Sequence, residues 1–556
     1  MLFGRRRKVR EIDPEDIFLD SSNLPGYDSA RLEGKLERPV SRLSFIGMAL
    51  VMMLVFGGLL AQAANLELVK GSTYATQSEK NRLRPELIFA ERGAITDRNG
   101  VPLAWNEEGE DGYPMRKYMS PGFGHVLGYV SYPEKDKSGK YYDTEINGLA
   151  GVESAFDSTL AGANGKKLIE EDAKGAVQSE GSVLPPVPGK TLTLALDARA
   201  QKAFANAISE LAERIPFMGG SGILMDVETG EIHALVSYPE YDPNVLSSGE
   251  PANVIAGYQT DSRRPYLDRA VSGLYTPGSI VKPIEAAGVL TDGIISPEKT
   301  IFSSGSISVP NPYDPAHPSI FKDWKALGAM DVRGAIAYSS DVYFYTVGGG
   351  FGGQKGLGIE RLAYWFRLFG YTTPTGIELS REATGFVPTP AWKEETLDED
   401  WRIGDTYHTA IGQYAMQITP LEAVRSIAAI ANGGKLVKPT ILAGQAPQGE
   451  SIAVSQDALQ IVREGMRKGA TEGTSVGLND LSFVHLAGKT GTAQLGFHNE
   501  YYNSWAVGFF PYEHPKYAYA VVMERGPAGN AVGGIYVMHQ FLSALHASAP
   551  EYFTND

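Results

Sequence analysis

The chain has 556 residues, 43% of them hydrophobic and 21% charged, which is enough apolar material for several cores and excludes both a single small module and a wholly disordered chain. A net charge of −15 argues against a general nucleic-acid binder, because neutralising phosphates needs a basic face. Cysteine is absent, which removes disulfides, thiolate nucleophiles and Cys-ligated metal sites together.

Residues 1–42 open with Arg5, Arg6, Arg7, Lys8 and Arg10 and continue as an acidic stretch containing Pro and Gly; they read as a mostly disordered tail. Residues 43–66 then form a run of 24 without a charge. At about 1.5 Å per residue such a helix exceeds a hydrocarbon core of roughly 30 Å. Arg31, Lys35, Arg38 and Arg42 precede it and only Lys70 follows closely, so the positive-inside rule puts the tail in the cytoplasm and the remainder outside. A cleaved signal peptide is the alternative, with Ala61-Gln62-Ala63 as a small-x-small site. The long leader and long apolar core favour an uncleaved, single-pass anchor over residues 43–64, in the cell (inner) membrane.

Residues 65–190 read as short strands with turns. Asp97-Arg98-Asn99-Gly100 between two apolar runs is a hairpin signal, and Pro185-Pro186-Val187-Pro188-Gly189 is a stiff linker. Nothing in this stretch looks like chemistry, so it reads as a β-rich spacer. Residues 191–556 form a second domain. A helix is expected from Asp197 to about Arg214, followed by strands at residues 223–226 and 232–236 around a Glu228-Thr229-Gly230 turn. Helical patterns follow, residues 421–430 among them; then come strands at 486–492, 504–510 and 517–523, and a closing helix at 534–547. Two early and three late strands around a helical insert give one antiparallel five-stranded sheet in an α+β fold.

Thr276-Pro277-Gly278-Ser279 is a turn leading into Ile280-Val281-Lys282-Pro283 and an apolar helix. Ser279 at that helix start has backbone N–H groups near a developing anion, and Lys282 lies on the same face one turn on. A serine nucleophile needs a base, and a lysine becomes one when burial or a neighbouring cation lowers its pKa; Lys489 is a source of that cation. Alone, Ser-x-x-Lys is expected about twice by chance in this length, and a solvated helix face explains it equally. Ser339-Ser340-Asp341 follows a helical stretch and reads alone as a helix-end cap or turn. Lys489-Thr490-Gly491-Thr492 lies on an expected strand, where a cation and two hydroxyls suit a carboxylate and Gly491 allows close approach.

The three together, in this order, form the signature shared by class A β-lactamases and penicillin-binding proteins. With Arg92-Gly93-Ala94-Ile95-Thr96-Asp97-Arg98-Asn99-Gly100, Gly148-Leu149-Ala150-Gly151-Val152-Glu153, Gly404-Asp405 and Ile411-Gly412-Gln413, the chain resembles a class B penicillin-binding protein over nearly its whole length. Ser339-x-Asp341 followed by Val342-Tyr343-Phe344-Tyr345, and Phe321-Lys322-Asp323-Trp324 upstream, make it most similar to the elongation-type penicillin-binding protein 2 group.

The resemblance implies a transpeptidase domain at 191–556 on a pedestal at 65–190 and a peptidoglycan D,D-transpeptidase activity. Ser279 would attack a D-Ala-D-Ala stem peptide with Lys282 as base, while the N–H groups of Ser279 and Thr492 stabilise the oxyanion. Ser339 would relay a proton, Asp341 would orient Lys282 or substrate, and Lys489, Thr490 and Thr492 would hold the terminal carboxylate. An amine of a second stem accepts the acyl group, and β-lactams trap the serine. A multi-span glycosyltransferase of the shape, elongation, division and sporulation family is the implied partner. No cofactor, metal or nucleic acid is expected, and His317 near Asp314 and Asp323 reads as loop chemistry. Division-type transpeptidase, β-lactamase, and a penicillin-binding scaffold or sensor are the alternatives. Two departures stand out: the segment 106–116 is short, and Tyr414 stands where the family often has Gly.

Overall fold

A computed structural model describes residues 41–109, 112–171, 177–311, 314–496, 498–530 and 532–554. The basic cluster at residues 5–10 and the rest of the expected tail to residue 40 lie outside them. By contact the chain divides into two units, Met1–Arg84 with Leu168–Gly181, and Pro85–Lys167 with Ser182–Asp556.

In the smaller unit, helix α1 (Arg42–Ala64) begins at Ser41, whose hydroxyl accepts the Ser44 N–H at 3.2 Å. It runs on without a break to Val69, giving the one helix among the described residues that is long and apolar enough to cross a membrane. None of its residues is buried, as an apolar helix requires if lipid is its solvent.

In the larger unit the chain forms β1 (Ile95–Thr96), β2 (Pro102–Glu107) and β3 (Met115–Tyr118), with the expected hairpin turn between β1 and β2. Asp97 holds that turn by accepting the N–H groups of Asn99 and Val101, each at 2.8 Å. After the proline linker, β4 (Leu192–Thr193) joins β1 in parallel and completes a four-stranded sheet in the order β3-β2-β1-β4. Beneath lies a buried ionic network that local sequence reading did not find. Glu153 takes Arg92 Nε at 2.5 Å and Arg116 Nε at 2.7 Å, and Arg92 also reaches Asp157 at 2.7 Å.

Helix α2 (Ala198–Arg214) starts one residue later than expected because Asp197 is its cap, accepting the Arg199 N–H at 2.9 Å. Then β5 (Gly219–Asp226) and β6 (Ile232–Tyr238) form the expected hairpin. The helical insert includes α3 (Lys282–Thr291), α4 (Val332–Ala337), α5 (Asp341–Gly349) and α6 (Pro420–Ala431). Helix α6 opens on a reciprocal cap: Thr419 accepts the Glu422 N–H at 3.1 Å, and Glu422 accepts the Thr419 N–H at 2.8 Å. Strands β7 (Ala487–Leu495), β8 (Tyr501–Phe510) and β9 (Tyr517–Pro527) and helix α7 (Gly534–Ser548) close the chain.

These five strands form the one antiparallel sheet that the sequence predicted, and the structure gives their order as β6-β5-β9-β8-β7. Its side chains alternate between two cores. Ala518, Ala520 and Val522 of β9 face the helical insert, while Tyr519, Val521 and Met523 face α2 and α7. Phe204 of α2 stacks on Phe541 of α7 at 4.0 Å, closing that second layer. The strands are therefore buried on both faces, and β7, at the sheet's edge, carries the Lys-Thr-Gly segment beside the start of α3.

Candidate active site

The residues around Ser279 are shaped by two glycines. Gly278 has φ +57, a backbone that favours glycine, and donates its N–H to the Gly412 carbonyl at 2.8 Å. Gly491 on β7 passes so close to this turn that a Cβ there would lie 2.7 Å from the Pro277 carbonyl oxygen and 2.8 Å from Ile280. The missing side chain at 491 thus serves the approach of strand to turn, where the sequence suggested the approach of a ligand. Ser279 sits in a 3-10 turn, Gly278–Val281, and the α-helix itself begins at Lys282. Half-buried, Ser279 faces a groove of about 1230 Å³ together with Ser339, Asp341, Thr490, Gly491 and Thr492.

Helix α3 buries Lys282 completely. Its Nζ donates to the Ser339 carbonyl at 2.8 Å and to Ser339 Oγ at 3.3 Å, and pairs with Asp341 Oδ1 at 2.5 Å. From the opposite side Lys489 Nζ donates to Ser339 Oγ at 2.8 Å and to the Thr490 carbonyl at 2.8 Å. One serine hydroxyl therefore lies between two amines. Burial first, and the Lys282 charge second, hold the Lys489 pKa well below the usual lysine range, with Asp341 opposing. Two ammonium groups so close to one hydroxyl are costly, and the proton this loosens is that of Lys489, the residue the sequence cast as the cation acting on Lys282.

The segment linking α4 to α5 makes this geometry. Ser339 takes φ +58, a left-handed backbone uncommon for serine, which turns the chain sharply between the helices. Ser340 caps α5 by accepting the Tyr343 N–H at 3.2 Å. The capping role and the motif role read as alternatives in the sequence, and adjacent residues fill both. Asp323 braces the turn from outside: its carboxylate accepts the Asp341 and Val342 N–H groups at 3.1 and 3.2 Å and the hydroxyls of Ser340 and Ser303 at 2.8 and 2.9 Å. The sequence offered Asp323 only within a family pattern and as a neighbour of His317. In the structure His317 instead pairs with Asp314 at 2.9 Å on the surface.

On β7, Thr490 is half-buried and Thr492 exposed toward the groove. Thr490 Oγ1 lies 2.7 Å from the hydroxyl of Thr474, a residue the sequence reading did not single out. All eight expected site residues thus line the groove or reach its hydrogen-bonded centre. No group of three or more His, Asp or Glu among the described residues could hold a metal ion.

Comparison with known proteins is consistent along the chain. The Penicillin binding protein transpeptidase domain matches residues 220–540, and the Penicillin-binding Protein dimerisation domain matches residues 111–194. The Peptidoglycan D,D-transpeptidase MrdA of Escherichia coli (strain K12) is 28% identical over 613 aligned residues, covering 90% of this chain and 93% of the relative. A Helicobacter pylori penicillin-binding protein, PBP2, solved in complex with MreC, has a TM-score of 0.70 at 28% identity and covers 84% of this chain and 99% of its own. A chain from a peptidoglycan synthase complex, described as coordinating polymerization and crosslinking, has a TM-score of 0.71 at 27% identity over 90% of this chain and 98% of its own. With both domains in that order on an α+β core, the chain belongs to the class B penicillin-binding protein family.

Proposed function

We propose that the protein is a peptidoglycan D,D-transpeptidase of the elongation type, acting through Ser279. The observation that carries this reading is the Lys282–Ser339–Lys489 hydrogen-bonded chain, set in the groove that the Ser279 turn faces. Ser279 Oγ attacks the carbonyl of the penultimate D-Ala of a stem peptide, and Lys282 takes its proton as it hands its own through Ser339 to Lys489. The N–H groups of Ser279 and Thr492 receive the charge that develops on the carbonyl oxygen. As the C–N bond breaks, Ser339 passes a proton from the lysine pair to the leaving D-Ala nitrogen. The amine of a second stem then attacks the ester, forms the cross-link and returns a proton through the same path to Ser279. Thr490 and Thr492 hold the donor's terminal carboxylate, with the Lys489 side chain behind them. A β-lactam follows the first half of this route, opening its amide onto Ser279.

Residues 65–190 serve as the pedestal and residues 191–556 as the transpeptidase domain. The apolar helix is the anchor, with residues 1–42 in the cytoplasm, a reading supported by the positive flank before the span. A membrane polymerase is the partner, a multi-span glycosyltransferase of the shape, elongation, division and sporulation family; related chains in a synthase complex and with MreC support that reading. The test is reconstitution of the full chain in vesicles with such a polymerase and lipid-linked precursor. Cross-linked muropeptides should form with wild type and not with Ser279→Ala. Cross-linking that survives Ser279→Ala would refute the assignment.

A further inference from the structure

Tyr414 has the backbone of a glycine and the side chain of an anchor. Its φ is +66, a region that a bulky aromatic residue rarely occupies and that persists only where the surroundings over-determine it. The surroundings here do so. The ring meets Trp392 edge-on at 6.0 Å and 85° and Trp401 at 6.0 Å and 87°. Trp401 is itself fixed by its indole N–H, which donates to Thr406 Oγ1 at 2.8 Å. The phenol interacts with the Lys393 ammonium, which Asp405 and Glu399 hold at 2.8 and 3.2 Å. Such a ring cannot swing aside without breaking contacts with Trp392, Trp401 and Lys393 together.

The pinned ring stands in the groove. Tyr414 lines it with Gln413 and His408, in the same groove as Ser279 and as Thr490 and Thr492 of β7. The same loop is tied to the nucleophile's turn, since Gly412 accepts the Gly278 N–H and Gln413 donates to the His408 carbonyl at 2.9 Å. A rigid wall fixed to the turn that presents Ser279 limits what fits beside the reacting carbonyl. Backbone strain kept in place by a ring locked on three sides, at the edge of a substrate groove, has the form of a selectivity device.

We propose that Tyr414 is a specificity-determining residue, whose pinned ring narrows the groove beside Ser279 and selects acyl donors with compact substituents next to the reacting carbonyl over bulky ones. This rests on the assignment of Ser279 as the acylated serine. The experiment measures second-order acylation rate constants of the full chain in membranes with two penicillins of one nucleus, one bearing a small acyl side chain and one a bulky aromatic one. Tyr414→Asn removes the ring and tolerates the left-handed backbone, so the bulky-to-compact ratio should rise about tenfold or more. Tyr414→Phe keeps the ring and should leave the ratio within about threefold of wild type, since only the phenol's tie to Lys393 is lost. Should the Asn variant fail to fold, Tyr414→Gly, which suits the backbone best, replaces it. A ratio that stays put in a folded ring-less variant, or equal losses for both penicillins, would overturn the proposal while leaving Ser279 in place. A wild type that takes up neither penicillin would overturn the Ser279 assignment and this proposal with it.

Discussion

The chemistry of the site turns on Ser339 Oγ, 3.3 Å from one lysine and 2.8 Å from the other. Its hydroxyl joins two amines that could not both keep their protons in a buried space without cost, and Lys489 is the one whose proton is loosened. Removing the hydroxyl leaves both amines in place and cuts the relay between them. Ser339→Ala is therefore expected to fold normally and to slow β-lactam acylation of Ser279 by about 10²–10⁴-fold, the usual worth of positioned proton transfer. Stopped-flow acylation kinetics measure it directly. Lys489→Arg should be as damaging, because a guanidinium stays charged at any working pH and its planar fork does not match one hydroxyl and one carbonyl. If acylation in Lys489→Arg stayed within a few-fold of wild type, the loosened proton would have no part in the reaction.

Helix α3 carries one acidic residue, and a second braces the start of α5 from a preceding loop; both support the site without touching the reacting atoms. On α3, Glu285 is buried completely one turn after Lys282, and neither of its oxygens has a hydrogen-bond partner among the described residues. Burial drives its carboxyl well above the usual range, against the pull of the Lys282 ammonium. A carboxyl raised in the folded state contributes its full stability below its unfolded pKa of about 4.3 and loses it as pH rises toward the folded value. Glu285→Gln, which cannot ionise, should gain on wild type as pH rises from 4 to 8, by about 1–3 kcal/mol at the upper end. Melting temperatures of the detergent-solubilised pair across that range decide it; a constant gap would mean that Glu285 does not titrate on unfolding. At the start of α5, Asp323→Ala, in the loop before it, strips three N–H groups (Trp324, Asp341 and Val342) and two hydroxyls of their acceptor, and should cost about 2–4 kcal/mol and lower acylation through the displaced Ser339 turn. The elements themselves were largely legible. Strand alternation, the helical pattern at residues 421–430 and the Asn-Gly hairpin are local, and local signals survive in a sequence. The three lysine and serine motifs were legible too, since their order is itself a pattern. Asp323, Glu285 and Thr474 were not. Their roles come from chain segments that meet only in the folded state, and nothing around Glu285 in the sequence distinguishes it from a solvated helix carboxylate.

Across the whole molecule two features set where and how the chemistry is presented. The buried Arg92–Glu153–Arg116 cluster joins residues 61 and 37 positions apart in the chain, so neither the hairpin nor the short helices around it revealed it in advance. Glu153→Ala would leave the buried Arg116 guanidinium without its carboxylate and Arg92 with Asp157 alone, at a cost of about 3–5 kcal/mol, and should make the segment around residues 85–167 protease-sensitive in an otherwise folded chain. The membrane helix carries the second prediction. Because the chain has no cysteine, single cysteines placed by Ser22→Cys and Ser138→Cys report topology without background. An impermeant thiol reagent added to intact cells stripped of any outer barrier should label position 138 and spare position 22; the reverse pattern would invert the proposed orientation. The proposed transpeptidase chemistry requires a covalent bond to Ser279. Membranes containing the full chain, treated with a fluorescent penicillin and resolved on a denaturing gel, should show a labelled band for wild type and none for Ser279→Ala. A band that persists in a folded Ser279→Ala variant, or mass spectrometry that finds the adduct on another residue, would contradict it.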